Sequence, residues 1–385
     1  MQTKELLMVL LGTVVCGRPV EQELTAACTP EALQQVYKLA FRHDVAHLVG
    51  QAVSEFNLEE SESLTECRQA ALQAVCRYLR SDYECRQICE TLEAAKIQFI
   101  PLKGSVLRDY YPEAWMRTSC DLDILVHPEE LDTAADLLVK TLGYDRREKG
   151  NHDLAMFSPS GLCLELHYNV IEKGIFPRAQ DILGNIWQYA QPKNPGGCHL
   201  ELTDEMFYFY HIFHMAKHVE NGGCGIRTFL DLWLLNHRKN YDSQRFGEIL
   251  KAGGLLEFSQ AVEKLTAVWF SGAQTDPMTQ KLEQFILDGG VFGSVDNRVA
   301  VSQIKEGSKI KYFLSKLFLK YDTIKYYYPV LQKHRWLTPL YQVVRWCRLI
   351  FTPAAKLTAQ KMKTNAARSQ DEIVATEELL NYLGL

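Results

Sequence analysis

No stretch of this chain approaches the ~20 consecutive apolar residues that a bilayer-spanning helix needs, so none of it reads as a membrane span. No two cysteines stand at Cys-x-x-Cys spacing, which removes the commonest signature of a structural zinc or a dithiol redox site. The cysteines number 11, an odd and scattered set in which Cys85 and Cys89 share a helix face. That pattern predicts reduced thiols in a cytoplasmic protein and not a disulfide frame. The apolar run from Leu6 to Cys16 follows one cation, Lys4, and continues into Gly17-Arg18-Pro19, which is no small-residue cleavage site. It reads as a buried first helix, not a signal peptide. Nor is there the charge excess of a disordered chain. With 47% hydrophobic residues over 385 positions, two or three domains around sizeable cores are expected.

What is present centres on Ile100 to His167. Cys120-Asp121-Leu122-Asp123-Ile124-Leu125-Val126 reads as a strand, because apolar residues alternate with the carboxylates before a β-rich run. Successive strand side chains face opposite ways, so Asp121 and Asp123 share one face while Leu122 and Ile124 turn to a core. Two carboxylates so placed repel each other, and a divalent cation between them relieves that repulsion. A second run, Leu162-Cys163-Leu164-Glu165-Leu166-His167, puts Glu165 and His167 together on one face. Upstream, Lys96 to Ile100 predicts a short strand that turns through Lys103-Gly104-Ser105 into a helix reaching Tyr110. A glycine at such a turn lets backbone approach a phosphate, and Lys103 and Ser105 add a cation and a hydroxyl donor. Residues 154–157 and 162–168 predict an antiparallel pair joined by Ser158-Pro159-Ser160-Gly161.

Gly-Ser, then Asp-x-Asp, then a lone acid on a later strand resembles the polymerase-β-type nucleotidyltransferase superfamily. Leu102-Lys103-Gly104, Tyr111-Pro112, Arg117 and Leu164-Glu165-Leu166-His167 resemble in particular its large, uncharacterised bacterial nucleotidyltransferase family. His214, Lys217-His218, Arg227, Asp231 and the segment Tyr328 to Pro339 fit as well. The resemblance implies an α+β fold, a small mixed sheet flanked by N- and C-terminal helical domains. The expected boundaries are residues 1–95, 96–190 and 191–385. It implies a nucleoside triphosphate donor and two Mg²⁺ ions, with Mn²⁺ as a substitute, held by Asp121, Asp123 and Glu165. It further implies nucleotide contacts from Lys103, Gly104, Ser105, Arg117, His167, His218 and Arg227. A catalytically weak nucleotide-binding or partner-binding protein on the same fold is the competing expectation.

The flanks read as helices. Glu31 to Gly50 and Leu64 to Ala95 carry apolar residues at three- and four-residue spacings, and the second run sets Leu72, Val75, Leu79, Tyr83 and Ile88 on roughly one side. Asp204 to Val219 carries His211, His214 and His218 on one face, open to three readings: a zinc site, packing histidines, or contacts to nucleotide or acceptor. Arg227 and Asp231 are spaced to pair along a helix, or Arg227 reaches a triphosphate. The segment 305–368 holds fourteen Lys and Arg against Glu306 and Asp322, a net +12 that leaves −17 for the rest of a chain at −5. Its interleaved Tyr, Phe and Trp leave three expectations: packing against the acidic remainder, an anionic membrane surface, or a nucleic acid such as tRNA.

Overall fold

The computed structural model describes residues 1–171, 176–238, 241–350 and 354–385. At its centre lies a five-stranded sheet: β1 (Phe99–Pro101), β2 (Asp121–Val126), β3 (Asp145–Lys149), β4 (Asp153–Phe157) and β5 (Cys163–His167). The spatial order is β1-β2-β5-β4-β3, with β2 and β5 parallel and the other neighbours antiparallel. Helices precede and follow this sheet, so the α+β expectation holds. The predicted β4–β5 hairpin closes through Ser158 to Gly161, where Leu162 donates its N–H to the Ser158 side chain at 3.0 Å. Strand β3, Asp-Arg-Arg-Glu-Lys, was not foreseen, because it lacks any apolar alternation.

The sheet has one apolar and one polar face. Leu122, Ile124, Leu154, Met156, Leu164 and Leu166 pack on the helix Leu131–Leu142, with Ile88 and Leu92 of the helix Glu62–Ala94 joining them. Burying each such leucine contributes about 2 kcal/mol, which fixes β2 and β5 with their carboxylates on the opposite face. The helix Leu131–Leu142 ends on Gly143 at φ 72, a left-handed cap that favours glycine.

The helices before residue 67 and those between 200 and 301 contribute to one apolar cluster, in which Leu7, Leu10, Val49, Phe209, Leu230 and Leu265 are buried. The run Leu6 to Cys16 lies within it as the helix Thr3–Val15, as its sequence predicts. The long helix Glu62–Ala94 departs from expectation. Leu72, Leu79 and Tyr83 are exposed, whereas the buried stripe is Cys67, Ala74, Ser81 and Ile88 at seven-residue spacing. Small residues lie inward because a neighbouring helix comes very close: a Cβ on Gly50 would lie 2.0 Å from the carbonyl oxygen of Cys67. The turn Gly222-Gly223 is tightly packed, with φ of 108 and 130 and the backbone of Arg298 and Gly293 against it.

Candidate active site

Parallel pairing sets Asp123 beside Glu165 and Leu125 beside His167, while Asp121 pairs with Cys163. The Asp123 carboxylate accepts from the Lys103 ammonium at 2.7 Å and meets His167 Nε2 at 2.8 Å, and the same nitrogen lies 3.4 Å from Glu165. Lys103 reaches this position through a backbone φ of 47, unusual for a side chain with a Cβ. Burial alone would raise the Asp123 carboxyl, but Lys103 and His167 outweigh it and hold the group well below the usual carboxylate range. Burial and the neighbouring Asp123 charge push Asp121 the other way, up. Burial opposes a charge on His167, yet its hydrogen bonds to Asp123 and Glu165 raise its pKa.

These residues open on a cavity of about 540 Å³. Its far wall comes from the helices Asp204–Glu220 and Ile226–Arg238 and from Asp44 of the N-terminal helices. Arg117 and Arg227 stand side by side there. Arg117 donates to Asp231 at 2.7 Å, and Tyr111 donates to the same oxygen at 2.8 Å. Arg227 bonds Asp44 and donates to the Thr118 carbonyl at 2.9 Å. The expected Arg227–Asp231 pairing along the helix is therefore replaced by two long-range pairs, Arg117–Asp231 and Arg227–Asp44. Burial would raise the Asp231 carboxyl, and Arg117 reverses this to keep it ionised.

The phosphate turn also differs in detail from its sequence reading. Gly104 lines the cavity, but its helix is a single turn, Gly104–Leu107, followed by a 3₁₀ turn at Arg108–Tyr110. So short a helix has little dipole to offer an anion. Ser105 donates its hydroxyl to the Leu102 carbonyl at 2.8 Å instead of facing the cavity. Ser119 takes that place: its side chain would lie 3.1 Å from a Cβ on Gly104, and its buried hydroxyl has no partner. The sequence signal for Ser119 was only its place just before the Asp-x-Asp strand. Asp44 gave none.

Of the three histidines on the helix Asp204–Glu220, His211 meets the Thr228 carbonyl at 3.1 Å, and His214 and His218 face each other at 3.2 Å between their Nε2 atoms. Burial, with Lys103 and His218 nearby, depresses His214 so far that its ring is neutral at pH 7. One of the two Nε2 atoms then carries the hydrogen and the other accepts it. No further donor converges on these histidines to make a zinc site among the described residues. The one group there that fits a metal ion is Asp123, Glu165 and His167, whose donor atoms lie within 4.8 Å of one another. Asp121 stands next to this group without being one of the three.

Unpartnered polar atoms gather around the same cavity: Ser119 Oγ, His167 Nδ1, Arg227 Nε and Asp231 Oδ2. A buried polar atom without a partner costs about 1–3 kcal/mol, so their concentration here marks a site shaped for a polar ligand.

A family model described as an uncharacterised nucleotidyltransferase matches residues 29–271, which span the sheet, both helical walls and all of the cavity lining except Val291 and Phe292. The chain belongs to this nucleotidyltransferase family. It is thus a transferase whose family implies a nucleoside triphosphate substrate, and its buried Asp-Glu-His group fits a metal ion. No curated protein and no solved structure matches it. The basic segment 305–368 lies beyond the matched residues.

Proposed function

We propose that the protein moves a nucleotidyl group from a nucleoside triphosphate to an acceptor hydroxyl, with divalent cations held by Asp121, Asp123 and Glu165. One observation carries this reading: Asp123 and Glu165 stand in register on adjacent parallel strands, facing a cavity ringed by polar atoms that lack partners. Two carboxylates and an imidazole form a donor set that suits Mg²⁺ or Mn²⁺, the imidazole favouring Mn²⁺ more than an all-oxygen site would. When bound, two such ions would neutralise the triphosphate and favour ionisation of the attacking hydroxyl.

The chain's own residues then have distinct tasks. Lys103 neutralises Asp123 while the site is free of nucleotide, and its ammonium turns to a phosphate oxygen when cations take over that carboxylate. Ser119 and Arg227, which have bonding capacity left over, donate to the outer phosphates beside Gly104. Glu165 accepts the acceptor's proton. His167, whose hydrogen bonds to Asp123 and Glu165 raise its pKa, would have to be unprotonated to ligate a cation, so cation binding would tighten with rising pH. His218, beside the neutral His214, contacts the nucleotide or the acceptor from the opposite wall.

The test is release of pyrophosphate from a mixture of the four nucleoside triphosphates with Mg²⁺ or Mn²⁺. Asp123→Asn and Glu165→Gln abolish it; Glu165→Gln leaves the melting curve in place, whereas Asp123→Asn also lowers the melting temperature, because Lys103 and His167 lose their buried counter-charge. Cation-dependent nucleotide binding that persists unchanged in both variants, without turnover in the unaltered protein, would replace this reading with that of a nucleotide-binding protein lacking transfer activity.

A further inference from the structure

Two helices of the basic segment are inside out. In Lys309–Leu317 the apolar stripe of Ile310, Phe313 and Leu314 faces solvent, continued by Phe318, and Ile310 is 72% exposed. In Thr338–Ile350 the large apolar residues Leu340, Val343 and Val344 are exposed, with Trp336 just ahead at 77% exposure. Gln342 and Arg345 of this second helix turn inward. Gln342 bonds both backbone groups of Leu319, at 2.6 and 3.3 Å. Arg345 and Trp346 bond the last carbonyls of the first helix, at Lys316 and Leu317, over 2.8–3.1 Å. Those bonds satisfy the carbonyls that every helix leaves open at its C-terminus. They also lock the two helices together with both apolar stripes turned outward. Amphipathic helices of a globular protein normally do the reverse.

The charge around these stripes is mostly positive, with Glu306 and Asp322 the only acids in 305–368. Among the described residues of 305–368, the ion pairs are Lys305–Glu220, Lys325–Asp322 and Arg368–Glu372. Lys311, Lys320 and Lys333 are exposed and form no ion pair. The acidic remainder of the chain supplies two of these pairs, through Glu220 and Glu372, and leaves Lys311, Lys320 and Lys333 without one. Tyr326 and Tyr327 are exposed as well, Tyr326 beside the Lys325 ammonium.

We propose that this face docks the protein on an anionic phospholipid bilayer. An apolar stripe flanked by lysines, with Trp and Tyr at its edge, matches a surface whose phosphates are anionic and whose acyl boundary is apolar. A nucleic acid would use the lysines and the aromatic rings, but Leu340, Val343, Val344 and Ile310 would gain nothing from it. A second copy docked face to face would bring like charges together. The proposal concerns a surface outside the cavity and does not depend on the transfer reaction.

Co-sedimentation of the full chain with phosphatidylcholine vesicles, with and without phosphatidylglycerol, tests it without any nucleotide. At low salt the protein sediments with the phosphatidylglycerol vesicles, binds phosphatidylcholine alone far less, and releases as salt rises. Leu340→Asn with Val344→Asn, both on exposed positions, lowers partitioning about tenfold or more while far-UV circular dichroism stays unchanged. Lys311→Gln, Lys320→Gln and Lys333→Gln together lower it on the order of a hundredfold and erase the preference for the anionic lipid. Brominated lipids quench tryptophan emission in the unaltered protein and do so less in Trp336→Phe. Failure of the unaltered protein to bind anionic vesicles at low salt overturns the proposal. So does tRNA binding that survives the Leu340 and Val344 changes in the absence of lipid binding, or a dimer in light scattering that those changes dissolve.

Discussion

The Asp231 carboxylate is a sharp test of how the cavity wall is held. It is fully buried and accepts from both Arg117 and Tyr111. Asp231→Asn keeps the shape and an accepting oxygen but removes the charge. The Arg117 guanidinium, 7% exposed, then has only neutral acceptors, the Asn oxygen and the Thr118 carbonyl at 2.5 Å, and beside it stands a second cation, Arg227. Breaking one side of a buried pair costs about 3–5 kcal/mol, because the surviving charge stays desolvated. Against a whole-protein stability of about 5–15 kcal/mol, that is a large fraction, and guanidinium denaturation followed by circular dichroism resolves it. Removing the whole group behaves differently. Asp231→Leu with Arg117→Met and Tyr111→Phe leaves no charge and no hydroxyl to satisfy, so this triple variant lies within about 1–2 kcal/mol of the unaltered protein, and above Asp231→Asn. An Asp231→Asn protein within about 1 kcal/mol of the original would refute the reasoning. So would a triple variant whose loss is no smaller than that of the single one.

Three further outcomes follow from the geometry. Ser119→Ala lowers triphosphate affinity by about 1–2 kcal/mol in a binding titration, whereas Ser105→Ala, whose hydroxyl is already bonded to Leu102, leaves affinity unchanged. His43 is fully buried, meets the Leu287 carbonyl through Nε2 at 3.2 Å and accepts the Ile226 N–H at Nδ1, and burial lowers its pKa to about 4. The unfolded chain takes up that proton near pH 6.5, so the stability His43 provides is complete above about pH 7 and falls by about 2 kcal/mol by pH 5. Melting curves of His43→Gln show a correspondingly shallower decline between pH 7 and 5. Gly50→Val drives a side chain into the Cys67 carbonyl and lowers the melting temperature by about 1–4 °C, the change that about 1–3 kcal/mol of overpacking strain brings to a chain of this length.

Local alternation made the heart of the site readable from residues alone. Period-two spacing put Asp121 with Asp123 and Glu165 with His167, and the Ser158 to Gly161 cluster set the hairpin that holds β5 in place. What spacing could not reveal was pairing across the chain. Arg227 and Asp231 satisfy the helix rule for neighbours, yet each prefers a partner brought in by the fold, Asp44 and Arg117. The helix alternative would have left Arg117 and Asp44 with no opposite charge, and a buried charge without one is the costlier arrangement. Periodicity also detects an apolar stripe without saying which way it turns. Leu72, Leu79 and Tyr83 face solvent, while the part of this helix against Gly50 has room only for small residues, at Cys67 and Ala71. Leu340, Val343 and Val344 do so because Gln342 and Arg345 are needed inward to satisfy backbone groups.

The two aspartates of β2 show how one face can hold like charges. They lie two residues apart on the same side, yet their environments divide them. Asp123 keeps its charge because Lys103 and His167 sit on it, whereas burial and the neighbouring Asp123 charge raise the Asp121 pKa, against a smaller opposing effect of Lys103. Environments that separate two carboxylates in this way assign them different roles. On the proposed reading, a cation at Asp123 would offset its charge and so favour the ionised form of Asp121. Lys103→Met removes the ammonium that competes for Asp123, so cations bind Lys103→Met more tightly while any contact from that ammonium to phosphate is lost. Tighter Mn²⁺ binding together with weaker triphosphate binding in that variant is the combination that this division of labour requires.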